Sequence, residues 1–379
     1  MKIPLASVSE GLWEEWRELA LAADNGHIFH HPAWVRGSLA AFPAPRNASV
    51  YAIKRQNRLS TLAAFHFETQ KVPGLPLRLR RGEFLLNELV DYNGFLSDQP
   101  DPSSDILALL EETRSEERWD ILKLKDISCQ DPMLGILSLL REHGHPYTLL
   151  KGNLCPYLSL EGTFEEYLDR KLGKGSRHIK KFRKVLGMEG FTTVEEGNCP
   201  PGDFAIDDLV EVEAGSWKAA TGLFSTPGKR LFYRNVLSRL HAEGRLQYLM
   251  CRASGKPVAY VLGFYFRQKW FYYSTAYREA PHHIAFGTVA SLLTLRKMFD
   301  LNLKEADFMR GAERSKFLLT GPARRNYDLY LFASRSMKAA FDSLCFFRRK
   351  VKRAFKHRAS YAWPGPIQES DLPALRNIA

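Results

Sequence analysis

The chain has 379 residues, 45% hydrophobic and 12% aromatic, with 54 Lys+Arg against 42 Asp+Glu for a net charge of +12. That length predicts two domains of about 150 residues each, and the apolar content excludes global disorder. With 26 Gly and 20 Pro, and no run of 18 apolar residues, collagen-like, low-complexity and membrane-spanning classes are not expected.

In chain order, a helix is predicted over Leu12–Ala23, and Pro32 in HIFHHPAWV starts a second. Strands Val50–Lys54 and Thr61–Glu68 flank the polar turn RQNRLS. The stretch VPGLPLRLRRG reads as broken by Pro and Gly, and DPSSD caps a helix over Ser104–Glu116. WDILKLK is a strand, Pro132–His143 a helix, and Tyr147–Leu150 and Tyr157–Leu160 are strand-like. Thr163 caps FEEYLDRKL, and a basic helix spans Ser176–Met188. Helices over Ile206–Ala219 and Lys229–Glu243 precede strands Leu246–Cys251, Val258–Phe266 and Trp270–Ala276, joined by the turns ASGK and RQK. Helix Thr288–Phe299, strand Glu305–Met309, a short helix near Glu313–Leu319 and strand Tyr327–Ala333 follow. One long basic helix and a Pro-rich tail from Trp363 close the chain. A strand–turn–strand pattern and a helix–strand pair recur at about 180–200 residues, a weak internal repeat.

The charge is local. Arg170–Lys184 holds eight basic residues and no acid; Arg335–Arg358 holds nine and only Asp342. Each stretch carries +8 against +12 for the whole, so the remainder is −4 and two anion-contacting surfaces are expected. The five cysteines, at least 26 residues apart, form no metal or disulfide pattern. The N-terminus, MKIPLASVSEGLWEEW, has no apolar core of a signal peptide, so a cytoplasmic address is expected.

Residues Phe164 to Phe332 resemble the GNAT acetyltransferase fold, and more closely the CelD-type, FemAB-like acyltransferases, which fuse two GNAT-like domains. SRHIKKFRKVLGMEG, SWKAATG with GKRLFYRNVLSRLHAEGRLQYLMC, GKPVAYVLGFYF and FGTVASLLTLRKMFDLNLKEADFMRGAERSK carry the resemblance. The first half matches more loosely, through IFHHPAWV and NELVDYNGFLSD. The implied fold is α/β (α+β), two tandem GNAT-like domains, each a mixed, mostly antiparallel sheet flanked by helices. Residues 1–160 form the first, 161–334 the acyl-CoA-binding second, and 335–379 a basic helix and tail.

A glycine at a strand-to-helix turn admits an anion to free N–H groups, so the resemblance places a coenzyme A pyrophosphate at His283, Phe286, Gly287 and Thr288. In DFMRGAERSK, Asp307 or Glu313 would deprotonate an acceptor ammonium, while Arg310 and Lys316 would hold an acceptor phosphate or carboxylate. The same charges also suit a salt-bridge network closing the strand–helix junction. Trp217 and Lys218, in a helix before a Gly/Pro-rich loop, would line the acceptor pocket. A tyrosine, Tyr327 or Tyr330, would protonate the leaving thiolate, and both also suit packing in an aromatic strand.

No GxSxG elbow, HExxH or Walker loop occurs, so neither a nucleophilic triad nor a metal is expected. The resemblance implies transfer of an acetyl or longer acyl group from acyl-CoA to an amine, such as an amino sugar or a cell-envelope polysaccharide precursor. A Fem-like aminoacyl-tRNA-dependent transferase and a non-catalytic module binding anionic lipid or nucleic acid are the alternatives. The C-terminal helix, with Phe341, Leu344, Phe346, Phe347, Val351 and Phe355 among its bases, has the composition of a membrane-surface helix contacting anionic lipid.

Overall fold

The computed structural model describes residues 1–43, 47–72, 76–87, 89–173, 176–195, 206–278 and 285–354, with side chains to 347. Its elements are β1 (Lys2–Pro4), α1 (Glu10–Ala22), α2 (Ala33–Ala41), β2 (Ala48–Arg55), β3 (Arg58–Lys71), β4 (Arg78–Phe84), β5 (Leu96–Ser97), α3 (Ser103–Glu117), β6 (Ile121–Ile127), α4 (Leu137–Glu142), β7 (Tyr147–Ser159), α5 (Phe164–Leu172) and α6 (Arg177–Leu186). Then follow β8 (Phe191–Glu195), α7 (Ile206–Ala214), α8 (Pro227–Ala242), β9 (Leu246–Ala253), β10 (Lys256–Phe266), β11 (Lys269–Tyr277), α9 (Phe286–Asp300), β12 (Glu305–Asp307), α10 (Arg314–Leu319), β13 (Ala323–Phe332) and α11 (Arg335–Ala354). They form two compact units that interleave in sequence. Unit 1 is Met1–Pro32, Ala44–Leu154 and Arg324–Ala379; unit 2 is Ala33–Pro43 and Cys155–Ala323. A contiguous division at 160 and 334 therefore leaves out two exchanges, α2 into unit 2 and β13 into unit 1.

In unit 1 the strand order is β1-β2-β3-β4-β6-β13-β7, with β5 on β3. Phe65, Phe84 and Phe95 pack with Leu122, Leu124 and Leu329 beneath Ile106 and Leu110 of α3. The Pro/Gly-broken stretch contains β4, a strand missed by the sequence reading. Its arginines are matched from a distance: Arg80 pairs with Glu117, and Arg81 with Glu68 and Glu83. Gly82 is needed there because a Cβ would stand 2.4 Å from the Phe67 ring. The two strand-like segments at Tyr147 and Tyr157 are one strand, β7. The helix expected over Pro132–His143 starts as a 3-10 turn capped by Asp131 and becomes α-helical at Leu137.

In unit 2 the order is β7-β12-β11-β10-β9-β8. One face carries α9, with α5 and α6 beside it. Val289, Leu292 and Leu295 of α9 and Ile179, Phe182 and Val185 of α6 join Val261, Trp270 and Tyr272 in one core. The basic helix is thus held by an apolar stripe, and its cations lie outside it. The opposite face carries α7, α8 and α2. Trp34 of α2 packs on Phe232, Phe264 and Tyr273 at ring-centroid distances of 6.0, 5.5 and 5.5 Å. Gly37 lets α2 approach α8, since a Cβ would lie 2.5 Å from Val236. That long-range packing explains why a helix from the first fifty residues belongs to unit 2.

Candidate functional site

The site is built where β11 and β12 part. They pair in parallel over only three positions, Lys269↔Glu305, Trp270↔Ala306 and Phe271↔Asp307. β11 then continues to Tyr277, whereas after Asp307 the chain turns away and the Phe308 amide donates to the Pro156 carbonyl at 2.9 Å. The register slips between Leu262↔Ser274 and Gly263↔Tyr272, leaving Tyr273 as the extra residue of a β-bulge. The bulge puts consecutive residues of β11 toward α7 and α8: the Tyr273 hydroxyl meets that of Tyr233 at 2.9 Å, and Ser274 meets Tyr260.

The helix α9 begins at Phe286, and its N-cap Ala285 supplies no side-chain acceptor. Its first-turn N–H groups, from Phe286, Gly287 and Thr288, lack that common partner, and the helix dipole there favours an anion. Phe286 is buried and stacks on Phe191. Gly287 is the second residue of the helix rather than the residue before it, and it is buried against Tyr277. His283, the fourth residue expected at this anion site, lies outside the described residues.

Trp217 and Lys218 lie in turns after α7, not in a helix: the helix stops at Ala214. Ser216 ends it, its N–H and hydroxyl both donating to the Glu213 carbonyl while its Oγ accepts from the Lys218 N–H. Trp217 is 53% exposed and rests on Tyr277 with centroids 4.4 Å apart. The Lys218 ammonium donates to Ser274 Oγ at 2.9 Å. The turn that carries both residues therefore lies over the end of β11, where the start of α9 also lies.

Asp307 ends β12, only 5% exposed, and its Oδ1 accepts from the Met309 N–H at 2.7 Å. The turn it holds is sharp, with φ 57° at Met309 and 123° at Gly311. The φ at Gly311 is what calls for a glycine, since the Glu313 carboxylate that a Cβ would approach at 2.3 Å is the exposed end of a flexible side chain. Glu313 is the N-cap of α10 and meets the Lys316 ammonium at 3.3 Å with its side chain 60% exposed. Lys316 also donates to the Arg310 carbonyl at 2.5 Å. Asp307, Arg310, Glu313 and Lys316 thus form one turn at the end of β12, part of it closed by the local ion pair.

Tyr327 belongs to unit 1. It is 1% exposed and packs in the core of unit 1. Tyr330 packs on Phe341 at 4.7 Å.

The residue missed in the sequence is Glu213. Its buried carboxylate accepts from the N–H groups of Leu223 and Phe224 at 3.2 and 3.0 Å and from the Tyr260 hydroxyl at 2.7 Å. Burial, with that carboxylate's charge second, pushes the Tyr260 phenol well above its ordinary pKa. A buried Glu on an amphipathic helix has no local sequence signature, because its partners lie 10 to 47 residues away.

Unit 1 repeats the parting of strands but not the opening. β4 and β6 pair in parallel at Arg81↔Ile121, Gly82↔Leu122 and Glu83↔Lys123. Beyond them, the edge of Ile127 away from Tyr327 is bridged in parallel by Asn93. The segment around it is fixed from several sides: Asn93 N–H donates to the Asp126 carbonyl, Asn326 donates to the Asp91 carbonyl, and Asn25 donates to that of Phe95. Gly94 is packed so closely that a Cβ would lie 1.9 Å from Asp131 Oδ2. In unit 1 the chain's own residues fill that edge.

Among the described residues, His66, Glu68 and Glu83 bring possible metal-ligand atoms within 4.8 Å of one another. Arg81 contacts both carboxylates and Lys123 contacts Glu83, so the cluster is an ion network with its acids already matched. Among the described residues no disulfide joins Cys129, Cys155, Cys251 or Cys345. No helix among the described residues is long and apolar enough to cross a membrane.

Residues 174–316 match the family model described as an acetyltransferase (GNAT) domain. No curated protein matches the chain at a significant level. Among solved structures, FemX is similar at 12% identity and TM-score 0.57, over 86% of this chain and 98% of that one. The C-terminal domain of a putative lysylphosphatidylglycerol synthetase from Agrobacterium fabrum is similar at 12% identity and TM-score 0.55, over 87% and 94%. A conserved protein of unknown function from Bacteroides thetaiotaomicron VPI-5482 is similar at 11% identity and TM-score 0.55, over 87% and 98%. At such identities the structures establish the fold, two GNAT-like units, and the family match lies on unit 2, where the strands open. Residues 174–316 thus match an acetyltransferase (GNAT) domain, and the chain as a whole shares its fold with FemX.

Proposed function

We propose that unit 2 transfers an acyl group from acetyl-CoA or a longer acyl-CoA to an amine. The observation that carries this reading is the three-residue register of β11 and β12, followed by their divergence beside the uncapped start of α9. Backbone N–H groups of Phe286–Thr288 would hold the pyrophosphate, and His283 precedes them in sequence. The acyl carbonyl would lie along β11 beyond Phe271, where a strand N–H supplies the donor that stabilises charge on the carbonyl oxygen.

The acceptor would enter past Trp217 and Lys218 on one side and the Asp307–Lys316 turn on the other. Glu313, the more exposed carboxylate, takes the ammonium proton directly or through water, while Asp307 shapes the turn. Arg310 and Lys316 receive an anionic group of the acceptor. The neutral amine then attacks the thioester without a covalent enzyme intermediate. An amino sugar or a cell-envelope polysaccharide precursor fits a site with both cations and an aromatic wall. Peripheral contact with an anionic membrane through α11 would bring the enzyme to such an acceptor.

An aminoacyl-tRNA-dependent reaction is the second reading. It is favoured by α6, whose Arg177, Lys180, Arg183 and Lys184 are exposed along one basic face. A thermal-shift screen of acetyl-CoA, longer acyl-CoAs, free CoA and aminoacyl-tRNA separates the two. Stabilisation by the CoA species supports the first reading, and a response to tRNA alone replaces it with the second.

A further inference from the structure

The turns between α7 and α8 are tied down by a chain of hydrogen bonds with a single sense. The Tyr260 hydroxyl has one proton, and its 2.7 Å contact with the Glu213 carboxylate requires that proton. At the 3.2 Å contact between Tyr260 and Ser274, Ser274 must therefore be the donor. Ser274 Oγ in turn accepts from the Lys218 ammonium. Each hydroxyl donates once and accepts once, from Lys218 through Ser274 and Tyr260 to Glu213. The same carboxylate accepts from the N–H groups of Leu223 and Phe224, at the far end of the turns that carry Lys218.

The sequence between is fitted to this arrangement. A Cβ on Gly222 would lie 2.2 Å from Glu213 Oε2. From α8, Lys229 donates to the Gly222 carbonyl and Ser225 Oγ, and Arg230 to the Phe224 carbonyl. A buried carboxylate is costly unless its charge and lone pairs are matched. Here two amides, a phenol and, through the hydroxyls, an ammonium do so.

We propose that Glu213, acting through Tyr260 and Ser274, is a positioning residue that holds Lys218, and with it Trp217, at the acceptor end of unit 2. The proposal deepens the acyl-transfer reading and, for its effect on the acceptor, rests on it. Acceptor affinity should depend on this chain, while acyl-CoA affinity, set at α9, should not.

The test uses Tyr260→Phe and Ser274→Ala, which each break one link, and Ser274→Thr, which keeps the hydroxyl. Acetic anhydride labels the full-length protein, and mass spectrometry reads the labelling rate of Lys218 relative to Lys269 in the same chain. Several-fold faster labelling in the two broken variants, with the Thr variant at the wild-type rate, is expected. Equal Lys218 labelling in all four proteins overturns the positioning role whether or not the enzyme turns over. Kinetics with acetyl-CoA and glucosamine as the probe amine supply the second reading: the acceptor KM should rise several-fold in the broken variants with the acetyl-CoA KM unchanged. A shift in labelling without that split overturns the link to the acceptor. Loss of the acyl-transfer reading itself would show instead as no binding of any CoA species by wild-type protein.

Discussion

The ring of Tyr277 occupies the space that a side chain on Gly287 would need: a Cβ built there would lie 2.3 Å from Tyr277 Cδ1. Trp217 lies against the same ring, so one tyrosine meets the start of α9 and the turn after α7. A bulkier residue at 287 must push this ring or shift the helix start. Gly287→Val should therefore weaken CoA binding at least tenfold and also cost roughly 1–3 kcal/mol through overpacking. The double variant Gly287→Ala/Tyr277→Ala relieves the clash and should recover stability. Calorimetric titration with CoA beside thermal melting checks both, and unchanged CoA affinity in folded Gly287→Val would move the pyrophosphate elsewhere.

The two carboxylates of the β12 turn should separate by the kind of damage their loss causes. Glu313→Gln is expected to keep the fold and to lose turnover mainly at pH values where the acceptor is protonated. Asp307→Asn weakens a buried acceptor of the Met309 amide and should destabilise by about 1–2 kcal/mol. pH–rate profiles and circular dichroism read these effects. A Glu313→Gln enzyme with wild-type rates at low pH would return this turn to the role of an ion-paired junction.

Unit 1 should show an acid-sensitive contribution from Glu83. Burial alone would raise its carboxyl, but the hydrogen bond from His66 and the charges of Arg81 and Lys123 bring it down to about 2. A folded pKa below the unfolded one gives stability that is present above about pH 4.5 and lost as pH falls toward 2. After screening it amounts to about 2 kcal/mol. Glu83→Gln should lower the melting temperature at pH 7 and flatten its decline toward pH 3. An unaltered acid limb would contradict this assignment.

The C-terminal helix should respond to lipid charge. Met337 and Phe341 pack on Leu150, Tyr330 and Phe332 and Cys345 is buried, whereas Leu344 and Phe347 are 49% and 64% exposed. The basic run from Arg348 continues in α11 to Ala354, with its side chains outside the described residues. Attraction to an anionic leaflet is worth about 1 kcal/mol per base near the surface and acts within a Debye length of about 8–10 Å. Co-sedimentation with anionic vesicles, falling steeply with salt and reduced in Leu344→Ser/Phe347→Ser, is expected. Equal sedimentation with zwitterionic vesicles would remove the membrane role.

What could be read in the sequence was what local patterning determines. Alternation and caps placed β2, β3, β9, β10 and β11, and Thr163, expected as a cap, acts as one within a capping box shared with Glu166. β4 escaped because Pro and Gly break the stretch and because Arg80 and Arg81 reach Glu117 and Glu68, 37 and 13 residues away, in addition to the nearby Glu83. Trp217 and Lys218 were expected near an acceptor pocket but on a helix, because the helical pattern runs past Ala214 and the Ser216 stop acts through hydrogen bonds. The glycine at 287 carried a signal for a close approach, and the structure names a tyrosine ring as one close neighbour. Glu213 looked like one acid among several in IDDLVEVEA, and only the fold brings Tyr260 and Ser274 to it.

The central claim is that acyl-CoA binds in the opening of unit 2, while the matching edge in unit 1 is taken by Asn93. Isothermal titration of the full chain with acetyl-CoA, paired with hydrogen exchange, tests it most directly. The account predicts one molecule bound per chain, with protection at residues 286–291 and none added along 121–127. Two bound molecules, or protection along 121–127, would contradict the filled edge of unit 1, and no binding at all would contradict the acyl-CoA reading itself.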